Sequence, residues 1–185
     1  MAAKTTKTKG KGSAAKKPSK KAAKSASKTT KATKLGFDSA TIVKQLLSEV
    51  PDRAREVLTF RFGLGSSSDR ETLEAIGERW GITRERVRQI EAAGLETIRS
   101  SKSFKNAQGA LDELSSHMHA LGGVVEEEEL LNSLAPDEKA RNRYRFLLVV
   151  GSAFFRERET DDFYARWHVD PKTADTVHEA LSRLY

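Results

Sequence analysis

The residues whose types and spacing carry the most chemistry are Arg84, Glu85, Arg88 and Gln89, within the run from Thr83 to Ile90. An arginine offers two parallel donors to guanine, a glutamine pairs with adenine, and a glutamate accepts from the amino group of cytosine. Counted at about 100° per residue from Arg84, Arg88 falls near 40°, Glu85 near 100° and Gln89 near 140° on a helical wheel. Val87, Ile90, Gly94 and Ile98 fall between about 240° and 320°, the opposite side. One helix would bury one face and present Arg, Glu, Arg and Gln on the other. A solvated helix face can carry the same residues, so the wheel alone leaves both readings open.

Other clusters offer less. Gly10-Lys11-Gly12-Ser13 lacks the spacing of a phosphate loop and no strand precedes it. Gly63 and Gly65 lack the third glycine and the βαβ setting of a dinucleotide fold. His117 and His119 are two apart on a helix and point to different sides, while His168 and His178 have no evident ligand partners. Glu126 to Glu129 reads as a charged helix start, because no partner or pocket for acid–base work can be argued. The chain has no cysteine, which excludes disulfides and cysteine-based metal sites. No catalytic constellation, metal or cofactor is expected, and the chain reads as a non-enzyme.

The outward face needs elements to hold it. Ile42, Val43, Leu46, Leu47 and Val50 recur at three- and four-residue spacing, predicting a helix over 39–50 that Pro51 ends. A second helix is predicted over 52–62, with Val57, Leu58 and Phe62 inward and Gly63 as its stop. Gly65 to Asp69 is loop by composition. Thr72 can cap a helix whose inward stripe is Leu73, Ile76 and Trp80, and Thr83 can cap the longer helix that follows. Two helices joined through Gly81-Ile82-Thr83 fit a helix-turn-helix, the bland alternative being an ordinary helical hairpin.

Arg53-Ala54-Arg55-Glu56-Val57-Leu58, Arg61-Phe62-Gly63-Leu64, Thr72-Leu73-Glu74-Ala75-Ile76-Gly77 and the block from Gly81 to Ala92 together resemble the fourth conserved region of bacterial housekeeping-type sigma factors. The resemblance covers residues 40–100, about a third of the chain. It implies a helical domain whose second helix-turn-helix helix enters the major groove at the promoter −35 element. Arg84, Glu85, Arg88 and Gln89 would then face bases, and Thr72, Thr83 and Arg86 would help to position the phosphate backbone. It also implies RNA polymerase as a partner, through the β-flap. Departures are visible. Where the family continues Lys-Ala-Leu-Arg-Lys-Leu, this chain reads Ala93-Gly94-Leu95-Glu96-Thr97-Ile98, which removes basic positions, and Gly94 costs about 0.5–1 kcal/mol relative to alanine. No segment resembles the aromatic-rich region that binds the polymerase clamp, so a complete sigma factor is not expected.

Charge is unevenly divided. Residues 1–34 hold twelve lysines (Lys4, Lys7, Lys9, Lys11, Lys16, Lys17, Lys20, Lys21, Lys24, Lys28, Lys31 and Lys34) and no acidic residue, although the whole chain carries only +7. The other 151 residues carry 21 Lys and Arg against 26 Asp and Glu. With no large apolar residue between Met1 and Leu35, the segment is expected to be disordered. Beside DNA it would bind phosphates by counterion release without reading sequence; a solubilising tail is the alternative. Its composition resembles the tails of linker-histone-like proteins.

From Phe104 the pattern changes. Phe104, Ala107, Leu111, Leu114, Met118 and Leu121 predict one helix closed by Gly122-Gly123. A short helix is expected from Glu126 to Pro136 and another from Glu138 to Val150. A half-buried strand over 163–169 would bury Phe163, Ala165, Trp167 and Val169 and expose Tyr164, Arg166 and His168. Phe154 to Arg158 would pair with it, and Asp170-Pro171 would start a last helix. Three helices and a hairpin predict a winged helix-turn-helix. Gly122-Gly123-Val124-Val125 and Glu129-Leu130-Leu131 are similar to the HARE-type modules related to the polymerase delta subunit. This part holds ten basic and fifteen acidic residues, favouring a protein partner over a duplex. Arg156 and Arg158 keep a duplex contact open, but beside Glu157 and Glu159 they read first as a solvated strand edge.

The expectation is a mostly α protein: a disordered basic tail over 1–34, a helix-turn-helix domain over 35–102 and a small α+β winged-helix domain over 103–185. Its expected function is sequence-selective binding of double-stranded DNA in bacterial transcription. Two alternatives stand beside it: a nucleoid-associated protein dominated by the lysine tail, and an adaptor that recruits a partner through the acidic second domain. No apolar run approaches the ~18 residues of a membrane span and no signal-peptide core follows the basic start, so a cytoplasmic, nucleoid-associated location is expected.

Overall fold

The computed structural model describes residues 35–161 and 163–183. The twelve tail lysines, and the disorder expected of them, lie outside the described residues. Helix α1 (Ser39–Ser48) starts where Asp38 accepts hydrogen bonds from the Ala40 and Thr41 amides, at 3.0 and 3.2 Å. Helix α2 (Asp52–Phe62) follows Pro51 and closes at Gly63. Helices α3 (Leu73–Trp80) and α4 (Arg84–Ser100) flank the Gly81-Ile82-Thr83 turn. Val57, Ile76 and Val87 are fully buried between α2, α3 and α4, and Trp80, Ile82 and Ile90 pack partly buried around them. That small core fixes the helix-turn-helix, as the spacing anticipated.

The helix expected from Phe104 to Leu121 is divided. A short α5 (Lys102–Asn106) is capped by the Ser101 hydroxyl, which accepts the Phe104 amide at 3.1 Å, and α6 runs from Gln108 to Ala120. Ala107, at φ −80° and ψ −6°, interrupts the helix, and Gly109, a poor helix former, stands two residues on, in the first turn of α6. Leu121, expected inward, lies past the end of α6 and is exposed.

The chain then forms β1 (Val124–Glu126), a strand the sequence reading missed, before α7 (Glu127–Leu134) and α8 (Glu138–Val150). Glu126 both ends this strand and stands at the N-cap of α7, so the acidic run opens the helix as expected. Strands β2 (Phe155–Glu157) and β3 (Arg166–His168) complete an antiparallel sheet of order β1-β3-β2, pairing Val125 and Arg156 with Trp167. Helix α9 (Pro171–Ser182) is capped by Asp170, as expected. Helix, strand, two helices and a hairpin whose second strand is central make a winged-helix arrangement. The expected alternation along β3 fails, because Arg166, Trp167 and His168 are all buried. Arg166 bonds to Glu157 at 2.5 Å and to His178 at 3.0 Å, and His168 stacks on Phe155 at 5.3 Å.

The two halves share one apolar core. Leu46, Leu58 and Ile98 belong to the same buried cluster as Leu114, Leu131 and Phe146, and Phe62 meets the Phe146 ring edge-on at 5.3 Å. Two polar contacts fasten the seam. Asn142 of α8 is fully buried and donates to the carbonyls of Gly63 and Ser68, at 3.3 and 2.7 Å. Arg99 at the end of α4 donates to the carbonyls of Val149 and Val150, at 2.9 and 3.1 Å, closing the C-terminus of α8.

Candidate nucleic-acid interface

The site begins with two hydroxyls. Thr72 Oγ1 accepts the Ala75 amide at 3.1 Å, and Thr83 Oγ1 accepts the Arg86 amide at 3.2 Å, so each threonine caps one helix of the pair. Capping leaves other first-turn amides directed outward, where the positive end of the helix dipole favours an anion such as phosphate. The turn between them is tight. A Cβ on Gly77 would lie 2.7 Å from the Ile82 carbonyl oxygen, so only glycine lets α3 and the turn approach this closely.

On α4, Val87 and Gly94 face inward and are buried, whereas Arg84, Glu85, Arg86, Arg88 and Gln89 are exposed. The four side chains proposed to face bases thus share one surface with Arg86, opposite the core. They also bind one another. Glu85 accepts two bonds from Arg88, at 2.8 and 2.7 Å, and Arg86 donates to Gln89 Oε1 at 3.1 Å. Hydrogen bonding from Arg88 holds the Glu85 carboxyl below its ordinary range. Arg84 makes no ion pair among the described residues.

The back of α4 explains an apparent defect. A Cβ on Gly94 would stand 3.3 Å from both Ala54 Cβ and Leu58 Cδ1, so the glycine sets how closely α4 crosses α2. Its propensity penalty accompanies a close helix crossing. Around the rim, Arg53 lies over Trp80 at 5.4 Å and Arg79 over Phe60 at 4.5 Å, while Arg79 also pairs with Glu71 at 2.6 Å. Arg61 reaches Glu91 at 3.6 Å, and burial raises the Glu91 carboxyl above its usual value.

Sequence reasoning missed the residues that brace this surface from behind. Asn142 gave no signal, since a lone Asn between two arginines reads as exposed; Arg99 could have been suspected from its place at the end of the inward stripe. Glu127, read as part of a charged helix start, is buried. It meets Arg145 at 3.0 Å, Arg156 at 2.6 Å and the Trp167 indole N–H at 3.2 Å. Arg156 is therefore committed to an internal carboxylate. Among the described residues no cluster of His, Cys, Asp or Glu could hold a metal ion, and no helix is long and apolar enough to cross a membrane.

Residues 46–100 match Sigma-70, region 4. The stretch begins within α1 and ends with α4, so it contains the whole helix-turn-helix. The RNA polymerase sigma factor RpoD of Neisseria gonorrhoeae is 35% identical over 77 residues, covering 42% of this chain and 12% of that protein. The RNA polymerase sigma factor RpoS of Coxiella burnetii (strain RSA 493 / Nine Mile phase I) is 39% identical over 67 residues, 36% of this chain and 19% of the relative. The chain thus spans less than a fifth of the length of these curated relatives.

Proposed function

We propose that this protein binds double-stranded DNA sequence-selectively in transcription, by placing the N-terminal half of α4 in the major groove of a promoter −35-type site. The carrying observation is the exposed surface of Arg84, Glu85, Arg88 and Gln89, set opposite the buried Val87 and Gly94 in the second helix of a sigma-region-4-like helix-turn-helix. Thr72, Thr83 and Arg86 would align the phosphate backbone beside it. RNA polymerase is the second partner in this reading, supported by the names of the relatives.

A selection from random duplexes at moderate salt, using the full chain, tests it. Enrichment of one short motif is expected, lost in Arg88→Ala and in Gln89→Ala. Binding without any enriched motif would overturn sequence reading and leave the lysine tail as the DNA-binding element.

A further inference from the structure

The loop between α2 and α3 leads into Thr72, and its two ends are closed on α2. The Leu64 amide donates to the Thr59 carbonyl and the Glu71 amide to the Phe60 carbonyl, each at 2.9 Å. Among the described residues, the stretch between them, 65–70, hydrogen-bonds to the rest of the protein at one point. There Asn142 of α8 donates to the Ser68 carbonyl at 2.7 Å, and the same amide group donates to the Gly63 carbonyl at 3.3 Å. Asn142 Oδ1 accepts from Arg145 Nη1 at 2.8 Å, and Arg145 is itself held by Glu127 at 3.0 Å. The orientation of the buried amide follows. Turned over, it would set Oδ1 against two carbonyl oxygens and its nitrogen against a guanidinium. Packing adds to the bonds: a Cβ on Gly63 would stand 2.6 Å from Asn142 Nδ2, so loop and helix meet without slack.

We propose that Arg70 is a further contact to the phosphate backbone and that Asn142, from the winged-helix half, is its positioning residue. The inference rests on the reading above, in which Thr72 lies beside the backbone and α4 faces bases. Arg70 is exposed and lines one cleft with Ser68 and Thr72. It forms no ion pair among the described residues. Its charged neighbours in that cleft are engaged. Arg61 pairs with Glu91, Glu71 with Arg79, Glu138 lies 3.8 Å from both Arg141 and Arg145, and Asp69 accepts the Ser67 hydroxyl at 2.7 Å. Arg70 is thus the cation of this cleft left to meet an outside anion. A guanidinium suits a phosphate because its parallel donors match two oxygens. In a loop fixed only at its ends, ordering that side chain on binding would weaken the contact. The bonds from Asn142 order the loop beforehand. Asn142 itself meets no base, so its loss weakens every site alike.

The test measures affinity with the full chain, on the enriched duplex and on duplexes with one base pair of the motif changed. Arg70→Gln should weaken all of them by the same factor, about three- to tenfold, and flatten the log–log salt dependence by about one. Asn142→Asp is isosteric and keeps the bond from Arg145, but its carboxylate cannot donate to the Gly63 and Ser68 carbonyls. It should give a similar uniform loss. Adding Arg70→Gln to it should weaken binding little further, whereas Arg88→Ala should multiply with either. Urea unfolding checks that each variant is folded, and Asn142→Ser takes the place of Asn142→Asp if the latter is not. Unchanged affinity and slope in Arg70→Gln would overturn the contact, and a loss confined to one base pair would overturn it in favour of base reading. Losses of Arg70→Gln and Asn142→Asp that multiply would overturn the positioning role and leave Asn142 to the seam alone. If the unsubstituted chain enriches no motif, the reading of α4 fails, and the same cycle on a random duplex still decides between these outcomes.

Discussion

At the scale of single residues, the surface proposed to read bases carries an internal ion pair. Glu85 holds the Nε–Nη2 edge of Arg88 in the free protein, which leaves Nη1 and the outer Nη2 proton as donors. That outer edge can donate to a guanine while Glu85 keeps the side chain in place. Glu85→Ala releases Arg88 from this fixed orientation, so relaxed selectivity at one position is expected. Arg88→Ala should weaken the preferred site by roughly ten- to hundredfold while leaving binding to random duplex almost unchanged. Fluorescence anisotropy on both duplexes separates these outcomes. Equal losses on the two duplexes would make Arg88 a phosphate contact. The orientation of these residues was legible in the sequence because a 3.6-residue period decides which way a side chain points. Their mutual hydrogen bonds were not, since rotamers depend on neighbours that spacing does not specify.

At the scale of elements, the boundaries of α2 and α8 follow from local signals, a proline before one and Gly63 or Gly151 after each. The three-residue β1 carries no such signal. Its residues pair with a strand some forty positions later, a partnership that local pattern cannot express. Gly94 looks like a flaw in the sequence and becomes intelligible only where α4 crosses α2. Gly94→Ala sets a helix-propensity gain of about 0.5–1 kcal/mol against contacts at 3.3 Å and should be nearly neutral. Gly94→Leu must push α2 from α4, and a loss of about 2 kcal/mol in urea unfolding is expected.

The buried acid at the start of α7 gives an element-scale prediction of the opposite kind. Burial pushes the Glu127 carboxyl up, but Arg156 and Arg145 together outweigh burial and hold it below its ordinary value. A carboxylate with a lowered folded value stabilises the fold fully above the unfolded value of about 4.3, and this contribution is lost as pH falls through the folded value. Glu127→Gln should therefore destabilise the protein near neutrality by about 3 kcal/mol, the low end for a broken buried pair because Arg156 keeps 42% of its surface in water. The difference from the unsubstituted protein should shrink in acid. Neighbouring Glu126 is shifted upward by burial and by Glu128 and Glu129, so its own titration runs the other way. Comparing variant and parent across pH cancels that contribution and isolates Glu127. A gap that stayed constant down to strong acid would remove the ion pair from the explanation.

At the scale of the whole molecule, the question is where DNA affinity comes from. Residues 51–102 carry ten basic and nine acidic side chains, and several of those arginines are engaged inside the fold: Arg61 with Glu91, Arg79 with Glu71, Arg99 with the end of α8. Residues 103–185 are acidic overall, and the seam made by Asn142 and Arg99 ties them to the helix-turn-helix, so in the proposed complex their repulsion would accompany α4 to the duplex. A selective surface of this kind supplies discrimination with little electrostatic attraction. On the proposed reading, the compensating charge would come from the lysine-rich segment, whose twelve cations meet no acidic residue in their own sequence. If about eight of them reach phosphates, the log–log dependence of affinity on salt should have a slope near −7 from this source alone. Removing residues 1–34 should flatten the measured slope by that amount, weaken binding strongly at low salt, and leave the enriched motif as it was. An unchanged slope would assign the phosphate contacts to the helices. A changed motif would mean that the segment itself reads bases, which is not expected of lysines spaced among alanine, serine and threonine.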